Sequence, residues 1–166
     1  MTLFVLVAAL QGSLILLDEF IFHMRRGLPR WERIGHPVDT ATVIACLLFL
    51  GFAEKTSPNE LIYIAMATIS CICVTKDEFV HFKICDAPEM WMHGVLFILH
   101  PLLLVVGYQA WANERTTILA VAAGVSVFFV WQVVYWNFLE SYLRERQKKA
   151  AYRRIRQEDL YEYFGE

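Results

Sequence analysis

Every histidine in the chain stands beside a carboxylate near the end of an apolar segment, and the arrangement occurs twice. The first copy reads Asp18-Glu19 with His23, then His36-x-x-Asp39; the second reads Asp77-Glu78 with His81, then Glu89-x-x-x-His93 and His100. Imidazole and carboxylate together are the nitrogen and oxygen donors of zinc and iron sites. Ionisable groups within apolar, membrane-length segments are costly and mark function. Residues three or four apart share a helical face. Glu19 and His23, Asp77 and His81, Glu78 and His81, and Glu89 and His93 therefore form local pairs, with His100 two turns beyond His93.

The candidate metal ligands are Glu19, His23, His36, Asp39, Glu78, His81, Glu89, His93 and His100. Glu78, Asp39 and His100 double as candidates for acid–base work, and Asp18 and Asp77 as acceptors that orient imidazoles. That set exceeds what one tetrahedral ion needs, which points to two metal ions, or to one ion with orienting groups and a general base; two ions are the leading expectation, with iron ahead of zinc. The unit Glu78-Phe79-Val80-His81 resembles the Glu-x-x-His unit of diiron carboxylate proteins with ferritin-like bundles. The resemblance implies iron held between helices, and covers only the ligand chemistry of a few short segments. The pattern matches once, because the first half carries Glu-x-x-x-His instead.

Bland readings stand beside these. His23 and His81 at helix ends suit the membrane interface, His36 before Pro37 suits a cap, and His100 suits a satisfied core position. Glu32 and Asp86 read as loop charges. The four cysteines repeat no zinc-finger spacing and predict no disulfide framework.

The elements that must position these groups are membrane helices. Of 166 residues, 57% are hydrophobic, and the apolar residues fall in long runs. The expected spans are about Leu3 to His23, Pro37 to Ala53, Pro58 to Phe82, Pro88 to about Tyr108, and Thr116 to Phe138. Gly27-Leu28-Pro29 breaks the first from the second. The expected fold is an all-α integral membrane bundle of five transmembrane helices. The first four form two repeated hairpins around the metal site, and the fifth packs outside. Residues 1–142 make the transmembrane domain and residues 143–166 a charged, helical cytoplasmic tail.

Arg25, Arg26, Arg30, Arg33, Lys83 and the basic tail lie on one side of these spans, against Lys55 and Arg115 on the other. The positive-inside rule then places the N-terminus out, the C-terminus in, and the ligands near the cytoplasmic face of a membrane read as the bacterial inner membrane. A net charge of −2 gives no reason to expect nucleic acid as a partner.

The leading functional expectation is a membrane metalloenzyme acting oxidatively on a lipid-like or other apolar substrate. A separate reductase supplies its electrons, since the chain encodes no electron donor. The alternatives are a zinc-dependent hydrolase of a lipid ester, amide or phosphodiester, with Arg25, Arg26 and Arg30 on the headgroup, and a protein of metal transport, storage or sensing. Membrane lipids and a second copy, through the fifth helix or the tail, are the other expected partners.

Overall fold

In a computed structural model of the protein, residues 2–76, 82 and 85–146 are described. Asp77, Glu78 and His81, and the expected tail beyond residue 146, lie outside them. Five helices are long and apolar enough to cross a membrane: α1 (Leu3–Arg26), α2 (Arg30–Phe52), α3 (Ser57–Thr75), α4 (Ala87–Ala110) and α5 (Arg115–Arg146). No strand occurs among the described residues.

Local chemistry explains the helix limits. The Thr2 hydroxyl accepts the Val5 amide at the start of α1, and the Asp86 carboxylate accepts that of Glu89 at the start of α4, each satisfying a donor the helix cannot. Pro58 and Pro88 occupy first turns, where a missing N–H costs nothing. The break after α1 is Gly27, whose φ of 76° favours glycine. The second helix starts at Arg30, a full two turns before the expected Pro37. Pro37 sits inside it, past the first turn, and gives up the rung that an N–H there would make to the Arg33 carbonyl.

Leu6, Leu10, Ile62, Ile69, Ile98, Val127 and Phe138 point outward. Exposed to water, such a surface would aggregate; against hydrocarbon, it is the surface a bundle of hydrogen-bonded helices should present. Inside, Phe4, Leu47, Leu50, Leu103, Trp111 and Ile118 make a continuous core. α1 packs on α4, and α2 packs on both α3 and α5. The approach of α2 to α5 is close enough that a side chain at Gly51 would collide with Leu119.

The fifth helix is not peripheral. α2 makes its most extensive contact with α5, and Gln132, Trp136 and Glu140 are buried on one face of that helix. Its sequence carries no histidine–carboxylate pair, so reading ligands alone hid a face that packs through one amide, one indole and one carboxylate.

Two stretches wind more widely than an α-helix: Asp18–His23 in α1 and Tyr135–Leu139 in α5. Both lie at the end of the bundle that carries the acids and histidines. Single π-turns of this kind recur at functional sites.

A candidate metal centre of two histidines and two carboxylates

The π-turn decides what His23 meets. On a regular α-helix, residues five apart point in different directions, and His23 would face Glu19 but not Asp18. The wider winding, in which the Met24 N–H reaches back to the Glu19 carbonyl, lets both acids face one imidazole. His23 Nε2 lies 3.3 Å from Asp18 Oδ2, and Nδ1 lies 3.5 Å from Glu19 Oε2.

Across the bundle, α4 brings two more donors. Glu89, in its first turn, places Oε1 at 3.6 Å from His23 Nε2. His93, one turn on, places Nε2 at 3.2 Å from Asp18 Oδ2. All four residues are buried, and their nearest donor atoms fall within 4.8 Å of one another. A second group shares His23 and adds Glu32 and His36 from the first two turns of α2. Glu32 and Glu89 sit in first turns, where the helix dipole favours an anion.

Arg26 joins the two groups. Its guanidinium meets Glu32 Oε2 at 2.8 Å and Glu89 Oε1 at 2.9 Å. Asp18, Glu19, Glu32 and Glu89 are all buried; these four carboxylates and Arg26, taken by themselves among the described residues, carry a formal −3 with neutral imidazoles. A buried charge of that size needs cations or protons. Other carboxylates nearby are held by cations of their own: Lys76 Nζ holds Asp39 at 2.6 Å, and Glu140 is held by Arg33 at 2.9 Å and by Arg144.

The donor set fits a metal. Bonds of 2.0–2.2 Å to nitrogen and oxygen put tetrahedral ligands roughly 3.3 Å apart. Three of the six separations among the donors, at 3.2, 3.3 and 3.6 Å, lie near that edge, and the others fall within 4.8 Å. Both ring nitrogens of His23 meet carboxylates at these distances without hydrogen-bond alignment, and Asp18 Oδ1 makes no hydrogen bond. Such sealed polar atoms are uncommon and ask for a missing partner.

The sequence-derived candidates therefore divide. His23, Glu89 and His93 converge, and Asp18 joins them directly instead of standing behind them. His36 lies beside the same histidine, its ring 4.9 Å from that of His23. Glu19 flanks the cluster: its carboxylate accepts the indole N–H of Trp136, and the Gln132 amide lies 3.5 Å away. Asp39 is taken by Lys76. His100 sits deeper, with Nε2 at 3.0 Å from Ser70 Oγ. Glu78 and His81 lie outside the described residues.

Glu32, read as a loop charge, is fully buried, at 0% exposure. The spacing that reveals it was present: Glu32-x-x-x-His36 repeats Glu89-x-x-x-His93. Trp136 carried no such sign.

A cavity of about 360 Å³ opens beside the cluster. Asp18, Glu19, His23, His36 and His93 line it at one end, and Leu103, Val121, Val125 and Phe128 line it elsewhere. The arrangement can place an apolar molecule against a charged, ligand-rich floor. No known family model, curated protein or solved structure matches the chain.

Proposed function

We propose that this chain is an integral membrane metalloenzyme that acts oxidatively on a lipid-like substrate held in the cavity. Asp18, His23, Glu89 and His93 hold one metal ion, and Glu32 and His36 stand ready for a second through the shared His23. The observation that carries the reading is the close grouping of buried nitrogen and oxygen donors, all within 4.8 Å of one another, directly beside a largely apolar cavity. Iron is the favoured ion, since a mixed imidazole and carboxylate set with room for further ligands suits it. Bound there, it would supply the redox chemistry that protein side chains lack.

The chain's own residues have definable roles in this reading. Trp136 and Gln132 fix the Glu19 carboxylate, which in turn orients His23. Arg26 keeps Glu32 and Glu89 tolerable before metal arrives. The apolar walls bind the substrate and exclude water from the metal face. By the internal repeat, Glu78 and His81 would add donors from the second hairpin. The positive-inside argument places the site near the cytoplasmic face, where a separate reductase can reach it.

Zinc hydrolysis is the second reading, since imidazole and carboxylate donors so close together also suit zinc. It is the weaker one because Arg26, its expected headgroup ligand, is already committed to Glu32 and Glu89.

Metal analysis of protein purified without added metal is the decisive experiment. Between one and two irons per chain are expected, falling below a tenth of that in His93→Ala. Stoichiometric zinc in place of iron would move the assignment to hydrolysis. A folded, metal-free protein that binds neither ion on addition would sink both.

A further inference from the structure

The cavity continues from the metal cluster along α1 and α4, and two polar groups wait two turns away. Hydrogen-bond logic fixes the proton on one of them. The Thr42 hydroxyl donates to the Asp39 backbone carbonyl at 2.7 Å, so its oxygen must accept from Ser70, 2.8 Å away. Ser70 has then spent its only hydrogen, and must accept from His100 Nε2 at 3.0 Å. Neutral His100 therefore carries its proton on Nε2 and a bare lone pair on Nδ1. The ring is 5% exposed and lines the cavity.

The second group is Gln11. It too is 5% exposed and lines the cavity. Its Oε1 is sealed from solvent with no hydrogen-bond partner among the described residues. The amide nitrogen is not sealed with it, so its N–H₂ is the end that a molecule in the cavity can reach. The position of Gln11 matches that of His100. α1 and α4 run antiparallel, and Asp18 touches His93; Gln11 and His100 each lie seven residues along from that contact, in the same direction. Seven residues make two turns, about 10.5 Å, and return to nearly the same face. Space surrounds them: a Cβ built at Gly12 or Gly124, both in the cavity lining, would meet no atom within 4 Å.

We infer that Gln11 and His100 form a second polar subsite, which takes a hydroxyl group carried on an otherwise apolar molecule. A hydroxyl both donates and accepts, so it can give its one hydrogen to His100 Nδ1 while its oxygen accepts from the Gln11 amide N–H₂. Ile15, Val43, Leu96 and Phe97 line the cavity with Asp39 and Thr40, whose side chains are bonded to Lys76 and Gln132, so a hydrocarbon chain meets mostly apolar wall. At about 30 Å³ per water-sized group, 360 Å³ holds roughly a dozen such groups. The inference rests on the reading of this cavity as the substrate site, and narrows the substrate to an amphiphile with its hydroxyl about 10 Å from the metal.

The test compares decan-1-ol with decane in the full-length chain, held in nanodiscs of uncharged phospholipid. Apparent affinity is read from the rise of the thermal unfolding midpoint with probe mole fraction, and metal content is measured on the same samples. The wild type is expected to prefer the alcohol by about tenfold or more, the worth of a buried hydrogen bond. Gln11→Leu and His100→Phe should each remove most of that preference and leave metal content unchanged. Should His100→Phe fail to assemble, Gln11→Leu alone still decides. Equal affinity of the wild type for both probes, as when an ordered water fills the subsite, would overturn the proposal. So would an alcohol preference that survives Gln11→Leu, which would put the hydroxyl at the metal cluster. Loss of metal from all samples with the preference intact would instead remove the metal reading and leave the subsite standing.

Discussion

The two ends of this bundle solve opposite problems. At one end, Tyr63, Trp111 and Phe49 pack ring against ring, with centroids 5.7 and 5.8 Å apart. The polar tips there are satisfied: the Trp111 indole donates to the Ala53 carbonyl, the Tyr63 hydroxyl to that of Leu104, and the Tyr108 hydroxyl to Glu60. At the other end the same helices bury four carboxylates against one guanidinium, and leave Asp18 Oδ1 and the ring nitrogens of His23 without aligned hydrogen bonds. The aromatic end conforms to every rule of stable packing. The acidic end breaks several of them in one place, and such local violations are where function is expected to lie. The difference teaches that stability and ligand capacity are divided along the length of the bundle, so each can be attacked separately.

The largest effect should come from the aromatic end. Trp111→Ala removes a fully buried indole and one of two donors to the Ala53 carbonyl, leaving Arg115 as the other, which should cost about 3–5 kcal/mol. Reversible unfolding in mixed micelles measures this, and metal per folded chain should stay the same. A parallel loss of metal would show that the two ends are coupled.

Arg26→Gln attacks the acidic end. It strands Glu32 and Glu89 as buried, uncompensated carboxylates, at a cost of about 3–5 kcal/mol to the metal-free protein. Added metal should recover a substantial part of that loss, because a divalent ion replaces the missing positive charge. Equal destabilisation with and without metal would argue that Arg26 serves packing alone.

Trp136→Phe is milder. It keeps the ring and deletes the N–H that Glu19 accepts. Metal affinity should fall about 10-fold to 100-fold, the usual cost of losing a group that orients a ligand, while the apo protein loses about 1–2 kcal/mol. Isothermal titration of the apo protein reads the first quantity. An unchanged affinity would detach α5 from the site.

The smallest effect concerns Cys85, beside the cluster and outside the helices. Burial, and then the Glu89 carboxylate, push its thiol up to about 12 from an ordinary 9.0. The reactive form is the thiolate, and a raised value means less of it at any pH below 9. Alkylation at pH 8 should run about a thousandfold slower than for an ordinary thiol, and should speed up as pH climbs towards 12. Ordinary reactivity at pH 8 would show that this edge of the acidic end is open to water.

How much of this was legible beforehand varies by residue. Glu19 with His23, and Glu89 with His93, were visible as helical pairs, because a spacing of four is a local property. Asp18 required the π-turn, which no local pattern announced. Glu32 was legible through its matching Glu-x-x-x-His spacing but stood next to arginines and a helix break, and so looked like a solvated loop. Asp39 looked like a ligand until Lys76, 37 positions away in sequence, was seen to hold it.

The sequence by itself determined five apolar, membrane-length segments, the end of the bundle at which the acids and histidines collect, and most of the donors. These follow from composition and from the 3.6-residue period, which need no knowledge of neighbours. Only the tertiary structure decided which donors converge, that α5 contributes Trp136 to Glu19, and that Gln11 and His100 share one level of the cavity. Those outcomes depend on which helix packs on which and at what rotation. Inside a membrane-length bundle almost every face is apolar, so hydrophobic periodicity no longer tells one face from another. The choice passes to close packing at small residues such as Gly51 and to the few polar groups that must find each other across helices.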